Sequence, residues 1–172
     1  MMTSNLYKSV ELIQDETIRG FVTEVMNSID TDVYYQIVPN YSAGDLSHYT
    51  ESVVNQVSRL LFLFNLGEQI NDVFIASALL HAIYMYEEGI DGWHSSDEAR
   101  IGYIYNPLYQ IAHRVRMQPF AKLISLDTYN DICGTIELQG GNASMYPQFS
   151  ISLDDSVVAW ILALAIHLAK TE

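Results

Sequence analysis

Apolar side chains recur every three or four residues along much of this chain, most regularly between Val10 and Ile29. Val10, Ile13, Ile18, Phe21, Val22, Val25, Met26 and Ile29 fall on one stripe of a helix with 3.6 residues per turn. A stripe of that width has to be covered by another element. The spacing therefore predicts a helix over residues 9–29 packed against its neighbours. The period returns in Val53, Val54, Val57, Leu60, Leu61 and Phe64, which predicts a helix over 48–66, capped by Ser47 and closed by Gly67.

Between them, "DVYYQIVPNYSAGDLS" combines β-branched and aromatic residues with Pro39, Gly44 and Asp45, and predicts an extended or irregular connection. Asp72 stands where an N-cap would open a helix over 73–87, with Gly89 after its end. The polar stretch "DGWHSSDEA" reads as a loop, and "RIGYIYNPLYQIAHRVRM" as helical beyond Pro107, a residue that a first turn tolerates. "LISLDTYNDICGTIEL" predicts a further helix with Asp127 as its cap. "QGGNASMYPQFS" reads as a loop, and Asp154 or Asp155 caps a last helix through Ala169. No repeat, low-complexity tract or linker divides the chain. The expected fold class is all-α: one compact bundle of about six or seven helices over residues 1–172, with 1–33 as N-terminal helix and lead-in.

A chain of 172 residues that is 49% hydrophobic has enough apolar surface for one continuous core. Eight Lys and Arg against 21 Asp and Glu give a net charge of −13, which repels phosphate backbones and anionic membrane surfaces. Neither nucleic acid nor membrane is an expected partner. The single cysteine, Cys133, excludes an internal disulfide framework and a Cys-based zinc cluster, and is expected as a small buried residue rather than a nucleophile. The N-terminal "MMTSNLYKSVELIQDE" carries acids early and lacks the hydrophobic stretch of a secretory signal. The longest apolar run, "VVAWILALAI", falls well short of the roughly 20 residues that span a bilayer. A cytoplasmic location is the expectation.

The stretch "IASALLHAIYMYEEG" sets His81 in an apolar helix and follows it with Ala82. His48 opens the preceding helix, and the final helix reads "LALAIHLA". In that order the three segments resemble the HD-domain metal-dependent phosphohydrolases. More narrowly, "YYQIVP", the Asp-Leu-Ser-His before the second helix, "VFIASALLHAIYMYEEG", "YNPLYQIA", "ICGTIELQGGN" and "LALAIHLAKTE" are similar to segments of a bacterial and phage branch of that superfamily. The likeness covers residues 34–172. Order and spacing carry it, each segment alone being short.

The resemblance implies a metal site built from a His on one helix, an adjacent His and Asp on a second, and an Asp on the last. Members that hold two metals add further histidines. Imidazole and carboxylate suit a divalent ion that polarises a phosphoryl oxygen and lowers the pKa of bound water. Carried onto this chain, His48 matches the first histidine and His81 the histidine of the pair. Ala82 stands where the paired aspartate would be, and Ile166 where the last aspartate would be. Met85 takes the place of a basic residue after the pair, Asn106 that of the histidine before Pro107, and Gln139 is closest to the histidine near "IELQGG". The resemblance would set His48 and His81 on neighbouring helices, their rings approaching one another across a relic pocket.

Both carboxylates of the family pattern are thus missing. Catalysis by the family's route needs them to neutralise the ion, orient it and take protons. The implied function is a catalytically inactive HD-like domain, phage or mobile-element encoded, that uses no cofactor and binds a protein partner or a small nucleotide-like ligand. Self-association into a homo-oligomer is compatible with it. The alternative is a divalent-metal-dependent nucleotide phosphohydrolase, with Mn or Fe held by His48, His81 and acids drawn from Glu87, Glu88, Asp91, Asp97 and Glu98. Each residue also has a plainer reading. His81 reads as a hydrogen-bonded core histidine, His48 as a surface residue, and His167, one position past Ile166, as facing another side of its helix. His94 and His113 sit among polar neighbours and read as solvated. Tyr103, Tyr105 and Tyr109 serve packing as readily as a ligand.

Overall fold

The computed structural model describes residues 3–35, 44–82, 112–137 and 155–171, and over them the chain is helical, without a β-strand. Seven α-helices and two 3-10 helices follow in order among these residues. They are α1 (Ser4–Val10), α2 (Glu16–Asn27), η1 (Thr31–Tyr35), α3 (Leu46–Phe64), α4 (Glu68–Leu80), α5 (Ala112–Met117), η2 (Gln118–Leu123), α6 (Leu126–Glu137) and α7 (Asp155–Thr171). The expected all-α class is the observed one. No described helix is long and apolar enough to cross a membrane.

The centre of the fold is α4. Every residue from Asp72 to Ala82 is buried, and a helix that is apolar on all sides belongs inside. It packs against α1, α2, α3, α6 and α7. The hydroxyl of Ser77, fully buried on it, donates to the Val73 carbonyl at 2.7 Å and lies 3.3 Å from the Ile132 carbonyl of α6, so this polar atom is satisfied. Phe21 of α2 is fully buried and meets Tyr129 of α6 edge to face, with ring centroids 6.3 Å apart. Its truncation to Ala would cost about 3–5 kcal/mol. The widest helix contact is that of α7 with α3, and Ile161, Leu162, Ala165 and Ala169 form the buried face of α7.

All eight residues of the Val10–Ile29 stripe are buried, as the spacing requires. They are spread over two helices rather than the single one expected over 9–29, with Ile13 between α1 and α2 and Ile29 just beyond α2, because two carboxylates stabilise a break. Asp15 caps α2, accepting the N–H groups of Thr17 at 2.7 Å and Ile18 at 3.1 Å. Asp72 accepts those of Gln14 and Asp15. Asp72 is therefore not the cap of α4, which starts a turn earlier after Gly67.

The other ends shift for similar reasons. Asp45, not Ser47, caps α3, and accepts the His48 N–H at 3.1 Å. Ser47 lies inside the helix with its hydroxyl 2.5 Å from that of Thr3. α3 closes at Asn65, in the left-handed region at φ 49° and ψ 47°, where its N–H donates to the Leu61 carbonyl. Gly67, expected to close α3, opens α4 instead. Ser125 accepts the Thr128 N–H at 3.1 Å, the capping role expected of Asp127, which sits in the first turn of α6. Residues 32–35, expected extended or irregular, lie instead in η1, fixed by the buried Tyr34 hydroxyl donating to the Met26 carbonyl at 2.6 Å.

Candidate functional site

α4 delivers His81 into the interior as the residue that follows its last turn. The ring is 1% exposed. Nδ1 lies 2.7 Å from the Ala78 carbonyl oxygen, one turn back, so Nδ1 carries the proton and donates it there. Nε2 is then a bare acceptor, buried, with no hydrogen-bond partner among the described residues. Burial pushes the imidazole pKa down to about 4, against the small upward pull of the Ala78 carbonyl, and the nearby charge of Lys170 lowers it further. The ring is neutral at physiological pH.

Tyr49 of α3 stands against this imidazole, with ring centroids 5.7 Å apart and planes tilted by 56°. The Nζ of Lys170, from the last turn of α7, sits 5.9 Å above the Tyr49 ring. Three elements thus set an ammonium, a phenol ring and a neutral imidazole in sequence, and the contact brings the end of α7 to the start of α3. Ala82, next to His81, is fully buried, and Ile166 is partly buried against the same core.

His48 lies elsewhere on its turn. Its side chain is 54% exposed, and Nδ1 is 2.8 Å from the carboxylate of Asp45. Gly44 leaves room for that ring, since a Cβ there would come within 3.1 Å of the His48 Cβ and Cγ. The ring that meets His81 belongs to Tyr49, one residue on. His167 is exposed on α7, on a different face from the partly buried Ile166. Met85, Asn106 and Gln139 lie outside the described residues, as do Glu87, Glu88, Asp91, His94, Asp97, Glu98, the tyrosines at 103, 105 and 109, and Asp154.

His113 is not solvated. It is 1% exposed, and Nε2 lies 3.1 Å from the carboxylate of Glu137, itself 1% exposed. Arg114 grips the same carboxylate with two groups, Nε on Oε1 and Nη2 on Oε2, the latter at 3.1 Å. Its Nη1 donates to Asn130 at 3.1 Å, and the Tyr129 hydroxyl donates to the Arg114 carbonyl at 2.9 Å. Burial pushes the Glu137 carboxyl up, but the hydrogen bonds and charges of His113 and Arg114 outweigh it and hold the group below the ordinary carboxylate range. The sequence carries a trace of this cluster. Glu137 falls four residues after Cys133, on the buried stripe of α6, and an acid there needs a cation. "HRVRM" supplies it. Both carboxylate oxygens are engaged, so the cluster clamps α5 to α6. The neighbouring Cys133 thiol is buried and pushed up to about 12 mainly by that burial, as befits a packing residue and not a nucleophile.

Among the described residues no three His, Cys, Asp or Glu side chains come together as a metal-ligand group. The surroundings of His81 fit a divalent ion poorly on their own chemistry. The imidazole packs against the Tyr49 ring, and the nearby Lys170 ammonium opposes a second positive charge. Comparison with known proteins finds no family model that matches the chain, no similar curated protein and no similar solved structure.

Proposed function

We propose that this chain is a catalytically inactive HD-like helical domain that works by binding, with a protein partner in first place and a small nucleotide-like ligand in second. The observation that supports this reading is the environment of His81. The resemblance asks for a histidine oriented by, and sharing a metal with, an adjacent aspartate. The residue beside His81 is a fully buried alanine, and its ring partner is Tyr49. An imidazole with its pKa lowered to about 4 is a weak base at neutral pH, and among the described residues no carboxylate orients it. The position has the packing of a core residue.

The orphaned Nε2 of His81 is the one observation that favours the alternative, a phosphohydrolase with non-standard ligands, because a buried imidazole lone pair is a metal ligand in waiting. That alternative draws its carboxylates from outside the described residues. The two readings separate on metal content and turnover. The full chain, expressed with Mn and Fe supplied, should carry neither stoichiometrically and should leave nucleoside mono- and triphosphates and phosphodiesters intact. About one ion per chain, together with hydrolysis abolished by His81→Ala, would establish the enzyme instead.

A further inference from the structure

We infer that the outward face of α2 is a docking groove for a cationic helical segment of a partner protein. A groove of 460 Å³ runs over this helix, between Tyr7 and Val10 of α1 on one side and Leu123 of η2 on the other. Thr17, Gly20 and Thr23 give its lining on α2 a line of small residues. A groove so lined is of the kind that receives one face of an amphipathic helix.

Gly20 is the first reason to assign an occupant. It lies in the middle of α2, where glycine costs about 1 kcal/mol relative to alanine. A Cβ added there would meet nothing within 4 Å, so no neighbour in this chain requires its absence. Gly44 is the contrast, being crowded by His48. What Gly20 does is leave the backbone of α2 bare in the groove lining, where an incoming chain gains close approach.

The charge of the rim defines the chemistry of that occupant. Glu11, Glu16 and Glu24 line the groove against a single cation, Arg19. Arg19 is already engaged, donating to the Ile13 carbonyl at 3.2 Å and lying 4.0 Å from Glu16. Glu11 and Glu24 have no cationic partner among the described residues. The carboxylates do not converge into a metal-ligand group, so a small ion is not what they fit. Spread along a groove with Tyr7 and Leu123 half-exposed on its walls, they match Lys or Arg flanking an apolar helix face. The inference rests on the reading of the chain as a binding protein, and it uses a surface remote in sequence from His81.

The test titrates the full chain with a fifteen-residue amphipathic Lys/Leu helical peptide and, separately, with its Glu/Leu counterpart, by calorimetry at physiological salt. Gly20→Met puts a side chain into the groove without changing charge and favours the helix, so folding is retained. Gly20→Met and the pair Glu11→Gln with Glu24→Gln should each weaken the Lys/Leu peptide by about tenfold or more. The control pair Asp32→Asn with Glu68→Gln removes the same charge elsewhere and should change binding by less than about twofold. Equal loss in both pairs, or full binding by Gly20→Met, would mean diffuse attraction to an acidic chain and would overturn the groove. So would binding of the Glu/Leu peptide as tightly as the Lys/Leu one. Sedimentation of the chain alone covers the other occupant: a dimer dissolved by Gly20→Met would put a second copy in the groove. Hydrolysis with bound metal would sink the binding reading yet leave a Gly20-dependent peptide response standing, so the two failures are distinguishable.

Discussion

The carboxylate of Asp72, buried in the middle of α4, accepts the backbone N–H of Asp15 at 2.7 Å, and its other oxygen accepts that of Gln14 at 3.0 Å. One side chain of the central helix thus holds the break between α1 and α2. Asp72→Ala leaves two part-buried amides without an acceptor, at about 1–3 kcal/mol each. A loss of roughly 3–5 kcal/mol in urea denaturation is expected, whereas Asp15→Ala removes an exposed cap and should cost about 1 kcal/mol. Equal midpoints for the two variants would show that water replaces Asp72.

Acid should destabilise the fold in two stages. His81 has its pKa lowered from 6.5 to about 4 in the folded chain, so the unfolded chain takes up the proton first. Stability is therefore unaffected by His81 at higher pH, falls as pH drops from about 6.5 to about 4, and changes no further below that. The loss is on the order of 3 kcal/mol. Glu137 contributes in the same direction at lower pH: its folded pKa is depressed, so its stabilisation is present above the ordinary carboxylate range and is lost as pH falls through and below that range. His81→Gln should flatten the upper part of the pH profile and leave the lower part intact. A wild-type midpoint that does not move between pH 7 and 5 would contradict the neutral, buried state of the ring.

The apolar stripe from Val10 to Ile29 was readable because burial obeys a period, and all of it is buried. The break inside it was not readable, since the acceptor for the Gln14 and Asp15 amides comes from Asp72, far along the chain. Phe64 fits the stripe of α3 by spacing yet lies 54% exposed, because that stripe is covered only as far as Leu61. That Ala82 and Ile166 are not carboxylates is a property of the sequence. What His81 faces in their place depends on how α7 meets α3, and no local pattern announces Tyr49 or Lys170. Glu137 and Arg114 were missed because "HRVRM" looks solvated until α6 is folded beside it.

Arg114 and Glu137 should behave as a unit. Arg114→Ala leaves a buried carboxylate with only His113 beside it, and a loss of about 3–5 kcal/mol is expected. Replacing both by leucine should cost clearly less than the sum of the single replacements, because neither charge is then stranded. A double-mutant cycle in denaturant reads this directly. Strict additivity would mean that solvent reaches the pair and that the clamp between α5 and α6 is not held by charge.

Introducing the carboxylates that the HD pattern calls for tests whether these positions can form that pattern's ion site. Ala82 is fully buried and Ile166 partly so, and Ala82→Asp with Ile166→Asp would set two acids in apolar packing. In metal-free buffer the double variant should lose several kcal/mol of stability. If the two positions still flank His81 as an ion site, Mn should recover much of that loss, since a ligand of the folded state raises apparent stability by mass action. The environment of His81 argues for little recovery: its ring packs on Tyr49, and the charge of Lys170 opposes an added cation. Thermal melts of the double variant should therefore shift by less than about 2 °C on adding millimolar Mn, which is no more than the shift of about 2–4 °C that 1 kcal/mol produces in a chain of this size. Adding Lys170→Met to the double variant should enlarge the response if the ammonium is what excludes the ion, and leave it unchanged if the packing of Tyr49 on His81 has closed the pocket.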